Sequence, residues 1–211
     1  VNSMQYQGVE QVQKNGSAAV VTIKVFDKEL DKHFLVELAM QQLADDTWQI
    51  SKIDNLKTLI SERDQALQNK LAELNAPVQK QIDDAVAVSP QKIFITSAPY
   101  SGVIRLLEAD IQLTNNAMKE LQYFTGVLEL YNADNELFYS GNFASSKDLA
   151  AKQTAVYKFN WELNPFLTDD AKVMNSDFSK VTWKASLSSL SFADGSTIEL
   201  LTQLPVKAAT K

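Results

Sequence analysis

The spacing of apolar residues changes twice along this chain, and those two changes constrain the fold more than any motif does. In the runs between Val20 and Ile53, apolar and polar residues alternate. From Leu56 the apolar positions are Leu56, Leu59, Ile60, Leu67, Leu71, Leu74, Val78, Ile82 and Val86, at spacings built from threes, fours and sevens. Past "VSPQK", residues 88–92, which ends the helical region, everything reads as strands again. A period of two turns alternate side chains of a strand onto one face, whereas a period of three to four winds one stripe along a helix. Strands, then a helix, then strands in separate blocks predict an α+β protein.

The first block reads as a three-strand antiparallel meander. Val21, Ile23 and Val25 share a face of "VVTIKVF". Phe34, Val36, Leu38 and Met40 share one in "HFLVELAMQ", with Glu37 and Gln41 opposite, and Trp48 and Ile50 lead "TWQISKI". Polar breaks at residues 27–32 and 44–46 separate the strands, so one face is buried and the other wet. Residues 1–17 are polar and Gln-rich and read as a loosely ordered arm ending in a turn at Asn15-Gly16. Asn15-Gly16-Ser17 also has the form of a glycosylation acceptor, although Asn-Gly is first of all a turn signal.

The stripe of residues 56–86 predicts a helix packed on the meander, with Ser61, Glu62, Arg63 and Asp64 on its polar side. Pro77 interrupts it, and a proline in a helix interior costs ~3 kcal/mol. The expectation is a kink, or two helices with Asn75 capping the second and Pro77 in its first turn. A seam for a partner helix or a second copy would need a cleaner heptad repeat than these residues supply.

About seven strands follow. In "LLEADIQLTNN" Leu107, Ala109, Ile111 and Leu113 alternate with Glu108, Asp110 and Gln112. In "AVYKFNWEL" Ala155, Tyr157, Phe159, Trp161 and Leu163 alternate with Lys158, Asn160 and Glu162. "WKASLSSLSF" begins with Trp183, Ala185 and Leu187 in phase and then shifts to Leu190 and Phe192, which predicts a β-bulge at Ser188-Ser189. Asp194-Gly195 signals a hairpin. "NPFLTDDAKVMNSDF" looks like a long crossover with one helical turn. The domain boundary is expected at residue 90, with a meander-and-helix region at 1–90 and a β-sandwich at 91–211.

The run from Ala109 to Phe143, followed by "WKASLSSLSFADGSTIEL", resembles a broad group of bacterial Ig-like β-sandwich domains. The matching residues are Asn115-Asn116 at a strand end, Gly126 in a small-residue strand, the polar turn at residues 132–135, and Asp194-Gly195. The resemblance covers about half the chain. It implies an immunoglobulin-like fold and an extracytoplasmic protein, periplasmic or membrane-anchored, that acts as an interaction module; it brings no catalytic residue with it. "LADDTWQISKI" is similar to the closing strand of cystatin-like or NTF2-like α+β units, which implies a meander packed on a helix and, in many such folds, a pocket between them.

The composition removes several chemistries. There is no cysteine, which excludes disulfides, thiolate catalysis, Cys-ligated zinc and iron–sulfur clusters. A formal charge of −6, with acidic residues spread through both halves, offers no basic face for nucleic acid or anionic lipid. No apolar run approaches the ~20 residues that span a bilayer; the chain starts at Val1, and an anchor upstream of it stays open.

His33 is the single histidine. It stands at a strand start beside Asp31, which could orient an imidazole, but no nucleophile motif accompanies it. Asp45-Asp46, Asp83-Asp84 and Asp169-Asp170 are adjacent pairs whose side chains point apart, at turns or helix ends where Asp caps backbone N–H groups. In "LELYNADNELFYSGNF", Asn132, Asp134 and Glu136 have the alternate spacing of a calcium loop but lack its glycine and its distal glutamate, so a hairpin turn is the expectation. Tyr100, Tyr123, Phe138 and Tyr139 could form a patch for glycan or protein, or pack in the core.

No catalytic, cofactor-binding or metal-ligating residue is therefore named, and no cofactor is expected. The expected role is a non-enzymatic interaction or scaffold module of the bacterial envelope whose partner is another protein or envelope component. Homodimerisation through the helical stripe or an edge strand stays open. The alternative is a small-ligand binder or hydrolase with an N-terminal pocket lined by Trp48, His33 and Asp31.

Overall fold

A computed structural model describes residues 3–205. Eleven strands and two helices follow in chain order: β1 (Met4–Asn15), β2 (Ala18–Asp27), β3 (Lys32–Gln42), β4 (Trp48–Ile53), α1 (Leu56–Ala85), β5 (Val86–Ser97), β6 (Arg105–Asn115), β7 (Leu121–Tyr131), β8 (Leu137–Ser145), β9 (Thr154–Leu163), α2 (Thr168–Met174), β10 (Thr182–Phe192) and β11 (Thr197–Glu199). The protein is mostly strand, all pairings are antiparallel, and the class is α+β. Two compact units form, one of residues up to Asn75 with those from Leu201 onward, the other from Ala76 to Leu200. The divide lies inside α1, which contributes residues to both, whereas the periodicity placed it at residue 90.

In the first unit the strands form one sheet in the order β1-β2-β3-β4. The meander therefore has four strands, and the expected N-terminal arm is β1, a full partner of β2. Its Gln-rich sequence hides this because an edge strand can be held by its backbone ladder alone, with nearly every side chain exposed. Asn15 lies opposite Ala18, so Gly16-Ser17 is a two-residue hairpin turn with its positive φ (60°) at Gly16, the position where a type II′ turn needs glycine. Register shifts at Tyr6/Gly8 and Val9/Gln11 bend the strand. The core holds Val25, Leu30, Phe34, Val36 and Leu59, with Ala66, Leu67 and Leu204 against them.

Two asparagine amides tie α1 to neighbouring backbone in this unit by acting like pieces of strand. Asn55 accepts from the Glu37 N–H (3.0 Å) and donates to the Leu35 carbonyl (2.9 Å), prolonging the β3–β4 ladder. Asn75 accepts from the Leu201 N–H (2.8 Å) and donates to its carbonyl (2.9 Å). Asn75 is thus a clamp on the C-terminal segment, not the cap of a second helix. α1 runs unbroken through Pro77. Pro77 and Glu73, whose carbonyl loses the proline N–H, are both exposed, so water can take the vacated acceptor.

In the second unit β5-β6-β9 form one sheet and β11-β10-β7-β8 another. Both line one core that includes Leu107, Ile111, Phe124, Leu128, Leu163 and Leu190, together with Ile82 and Val86 from the helical stripe. That stripe therefore serves two cores, Leu59 and Leu67 in the first and Val78 and Ile82 in the second. β5 begins at Val86, so "VSPQK" is strand and not helix terminus. Pro90 is tolerated there because β5 is an edge strand with a register shift at Pro90/Lys92. The crossover holds a seven-residue α2, longer than the single turn expected.

The alternation in β6 and β9 and the bulge between Leu187 and Ser189 are as the sequence predicts. Thr125 fills the bulge with hydroxyl hydrogen bonds to Ser188 (2.8 Å) and Ser189 (2.7 Å). Gly126 faces it without room for a side chain: a Cβ there would lie 2.4 Å from both the Phe143 ring and the Ser186 carbonyl oxygen. Asn115 is fully buried, donating to the Lys119 and Leu149 carbonyls (2.8 and 3.0 Å) and accepting from the Ala117 N–H (3.0 Å), so it knits two loops together.

Candidate functional site

Directly opposed residues in an antiparallel sheet share a face, so the register of the first unit gives its inner surface row by row. Tyr6, Val25 and Phe34 form one row; Val9, Ile23 and Val36 the next; then Val12, Val21, Leu38 and Ile53; then Lys14, Ala19, Met40 and Ile50. Apart from Lys14 the four rows are apolar. Burial is deepest at the end carrying Val25, Phe34 and Val36, under Leu59 of α1, whereas in the last row the small Ala19 alone is buried. Val12 and Ile50 each remain 52% exposed, and Tyr6, Val9 and Ile53 are exposed as well. Beyond the last row the Lys14 ammonium lies over the Trp48 ring at 5.1 Å.

The helix is pinned to its end of the sheet by charge. Asp27, fully buried, accepts from Arg63 Nε (2.8 Å) and from the N–H groups of Glu29 (2.9 Å) and Leu30 (3.3 Å). Arg63 also reaches Glu29 at 3.3 Å. Burial by itself would raise the Asp27 carboxyl, but the Arg63 hydrogen bond, the two backbone donors and the Arg63 charge outweigh it and hold the group below the usual carboxylate range. Sequence reasoning put Arg63 on the polar side. Two signals could have found the pair: Asp27 continues the inward phase of Val21, Ile23 and Val25, and Arg63 lies four residues from both Leu59 and Leu67.

The residues singled out for chemistry are not brought together. His33 lies opposite Phe26 with ring centroids 4.9 Å apart, on the outer face, whereas Trp48 pairs with Gln42 at the far end of β3. Nine residues of strand separate the two ends, roughly 30 Å. Trp48 and His33 therefore do not line one cavity, the arrangement that would have favoured the alternative ligand-binding or hydrolase reading. Asp45 accepts from the Thr47 N–H and hydroxyl, Asp83 and Asp84 take Gln79 and Lys80, and Asp169 and Asp170 take Lys172 and the Asn164 N–H. Asn132 accepts from the N–H groups of Asp134 and Glu136 and donates to the Glu136 carboxylate, and Asn135 takes a positive φ of 60°. That is a hairpin turn, as expected. No cluster of three or more His, Asp or Glu side chains suited to a metal occurs among the described residues. Tyr100 and Tyr123 are exposed, whereas Phe138 and Tyr139 pack against the core; burial, with the Asp170 charge, pushes the Tyr139 phenol up to about 12.

No protein-family model matches the chain, and no curated protein matches it. A crystal structure of a provisionally assigned ApaA protein from Bordetella pertussis is similar over 58% of this chain and 95% of its own, at 11% identity and a TM-score of 0.30. A likeness at that level bears on neither fold nor function. Among the described residues no helix is long and apolar enough to cross a membrane.

Proposed function

We propose that this chain is a non-enzymatic protein-interaction or scaffold module of the bacterial cell envelope, and that it binds its partner through the bare end of the N-terminal sheet. The observation that carries this reading is the inner surface of β1–β4, apolar along four rows and covered by α1 along only some of them. A sheet face of this kind gains stability only when covered, and contiguous apolar surface left open is a mark of interaction sites. The residue types suit recognition better than chemistry, since the carboxylates that could catalyse are taken up by local turns and helix pairs.

The second unit reads best as an immunoglobulin-like sandwich. Its seven strands divide as the first, second and fifth against the third, fourth, sixth and seventh, and β6–β7, β8–β9 and β9–β10 each pass from one sheet to the other. Such interlocking belongs to Greek-key sandwiches. Envelope location follows from the resemblance of residues 109–143 and 183–200 to exported domains of that kind.

A thermal-shift screen of the intact chain against metal ions, oligosaccharides and small metabolites tests the class of function. A ligand at one hundred times its dissociation constant adds ~2.7 kcal/mol, several degrees in melting temperature. The expected outcome is a flat screen. A specific shift with one small metabolite would replace the interaction reading with a ligand-binding or catalytic one.

A further inference from the structure

We infer that one loop end of the 76–200 unit is a second binding surface, and that it takes a basic protein segment carrying an apolar side chain. Ser97 at the end of β5, Arg105 at the start of β6 and Leu163 at the end of β9 lie side by side across their sheet. The loops at residues 98–104 and 164–167 therefore leave the same edge. Between them they hold Tyr100, Val103, Phe166 and Leu167 in water, Phe166 at 86% exposure.

These tips are fixed rather than loose. The Ala98 N–H donates to the Ile104 carbonyl (3.1 Å), and the Ser101 hydroxyl accepts from the N–H groups of Val103 and Ile104. Asn164 accepts from the Phe166 N–H through its side chain and from the Leu167 N–H through its carbonyl, while its own N–H donates to Asp170. A partner that buries these side chains has little loop ordering to offset, and exposed aromatics on rigid backbone are the usual anchors of recognition.

Charge selects the partner. Glu162 accepts from the Tyr100 hydroxyl, and Asp170 lies close enough to Tyr139 of β8 to raise its phenol. The turn carrying Asp134 and Glu136 runs directly into β8, with Glu136 three residues before Tyr139. None of these four carboxylates has a lysine or arginine partner among the described residues; Lys172 and Lys180 are taken up by Asp169 and Asp177, and Arg105, hydrogen-bonded to Ser97, offsets one of the four negative charges. The resulting potential repels an anionic lipid surface and attracts lysine or arginine beside an apolar anchor.

The test uses the full chain and a fluorescent peptide of alternating lysine and leucine, its glutamate–leucine counterpart, phosphatidylglycerol vesicles and a neutral oligosaccharide. The lysine–leucine peptide alone should bind. Phe166→Ser with Leu167→Ser, both at exposed positions, should leave the melting temperature unchanged and weaken binding ~10-fold or more, the loss typical of removing an anchor. Glu162→Gln with Asp134→Asn should weaken it severalfold. Absence of peptide binding overturns the inference. So does equal affinity for wild type and the serine variant, which would assign the attraction to net charge alone. Preferential binding of vesicles or oligosaccharide overturns it in favour of that class.

Discussion

Asp27 and Asn115 are the two buried polar side chains of the described chain, and each is fully partnered. Asp27 carries the clearer consequence because its partner is a charge on another element. Its carboxyl is held below the ordinary 3.8, so in acid the unfolded chain takes up a proton that the folded chain refuses. The stabilisation is complete above about pH 5 and is lost as pH falls through the folded value. Asp27→Asn should cost about 2–3 kcal/mol at neutral pH by breaking a hydrogen-bonded ion pair, and should also flatten the acid limb. Urea denaturation between pH 3 and 7 measures both; an unchanged acid limb would mean that Asp27 is not the titrating group. The pair escaped sequence reading because a charged residue in a helical stripe looks like a solvated face until its partner across the fold is known.

Between elements, Pro77 is the residue whose local preference most opposes its setting. It removes one hydrogen bond inside a thirty-residue helix, and the helix persists because Leu59 and Leu67 on one side and Val78 and Ile82 on the other are each held by a core. Pro77→Ala should therefore stabilise the chain by roughly 1–2 kcal/mol, the helical gain being partly offset by the freer unfolded chain. A fall in the denaturation midpoint would show that the proline shapes the helix in a way the cores require. Elements with one buried face were legible in the sequence: β6 and β9 alternate without a break, and the phase shift in β10 marks its bulge. β1 was not legible, since hydrogen bonding to β2 leaves no mark on side-chain pattern. The start of β5 was hidden by Pro90, which an edge position and a register shift excuse.

At the scale of the molecule, each unit completes a core of its own, and what distinguishes the first is that its sheet outruns the helix covering it. Composition and motif exclude cysteine chemistry and a multi-histidine metal site, and the acidic balance argues against nucleic-acid binding. They could not reveal this surface, because inward-facing valines and isoleucines look the same whether covered or bare. The most direct measurement exploits two side chains of equal exposure on opposite faces, Ile50 inside at 52% and Leu35 outside at 51%. A photoreactive residue at each position in turn, in the full chain expressed in its native host, should give one discrete crosslinked species from position 50 that is absent from position 35. No species at 50, or the same species from both faces, would contradict the assignment of the bare sheet surface as the binding site.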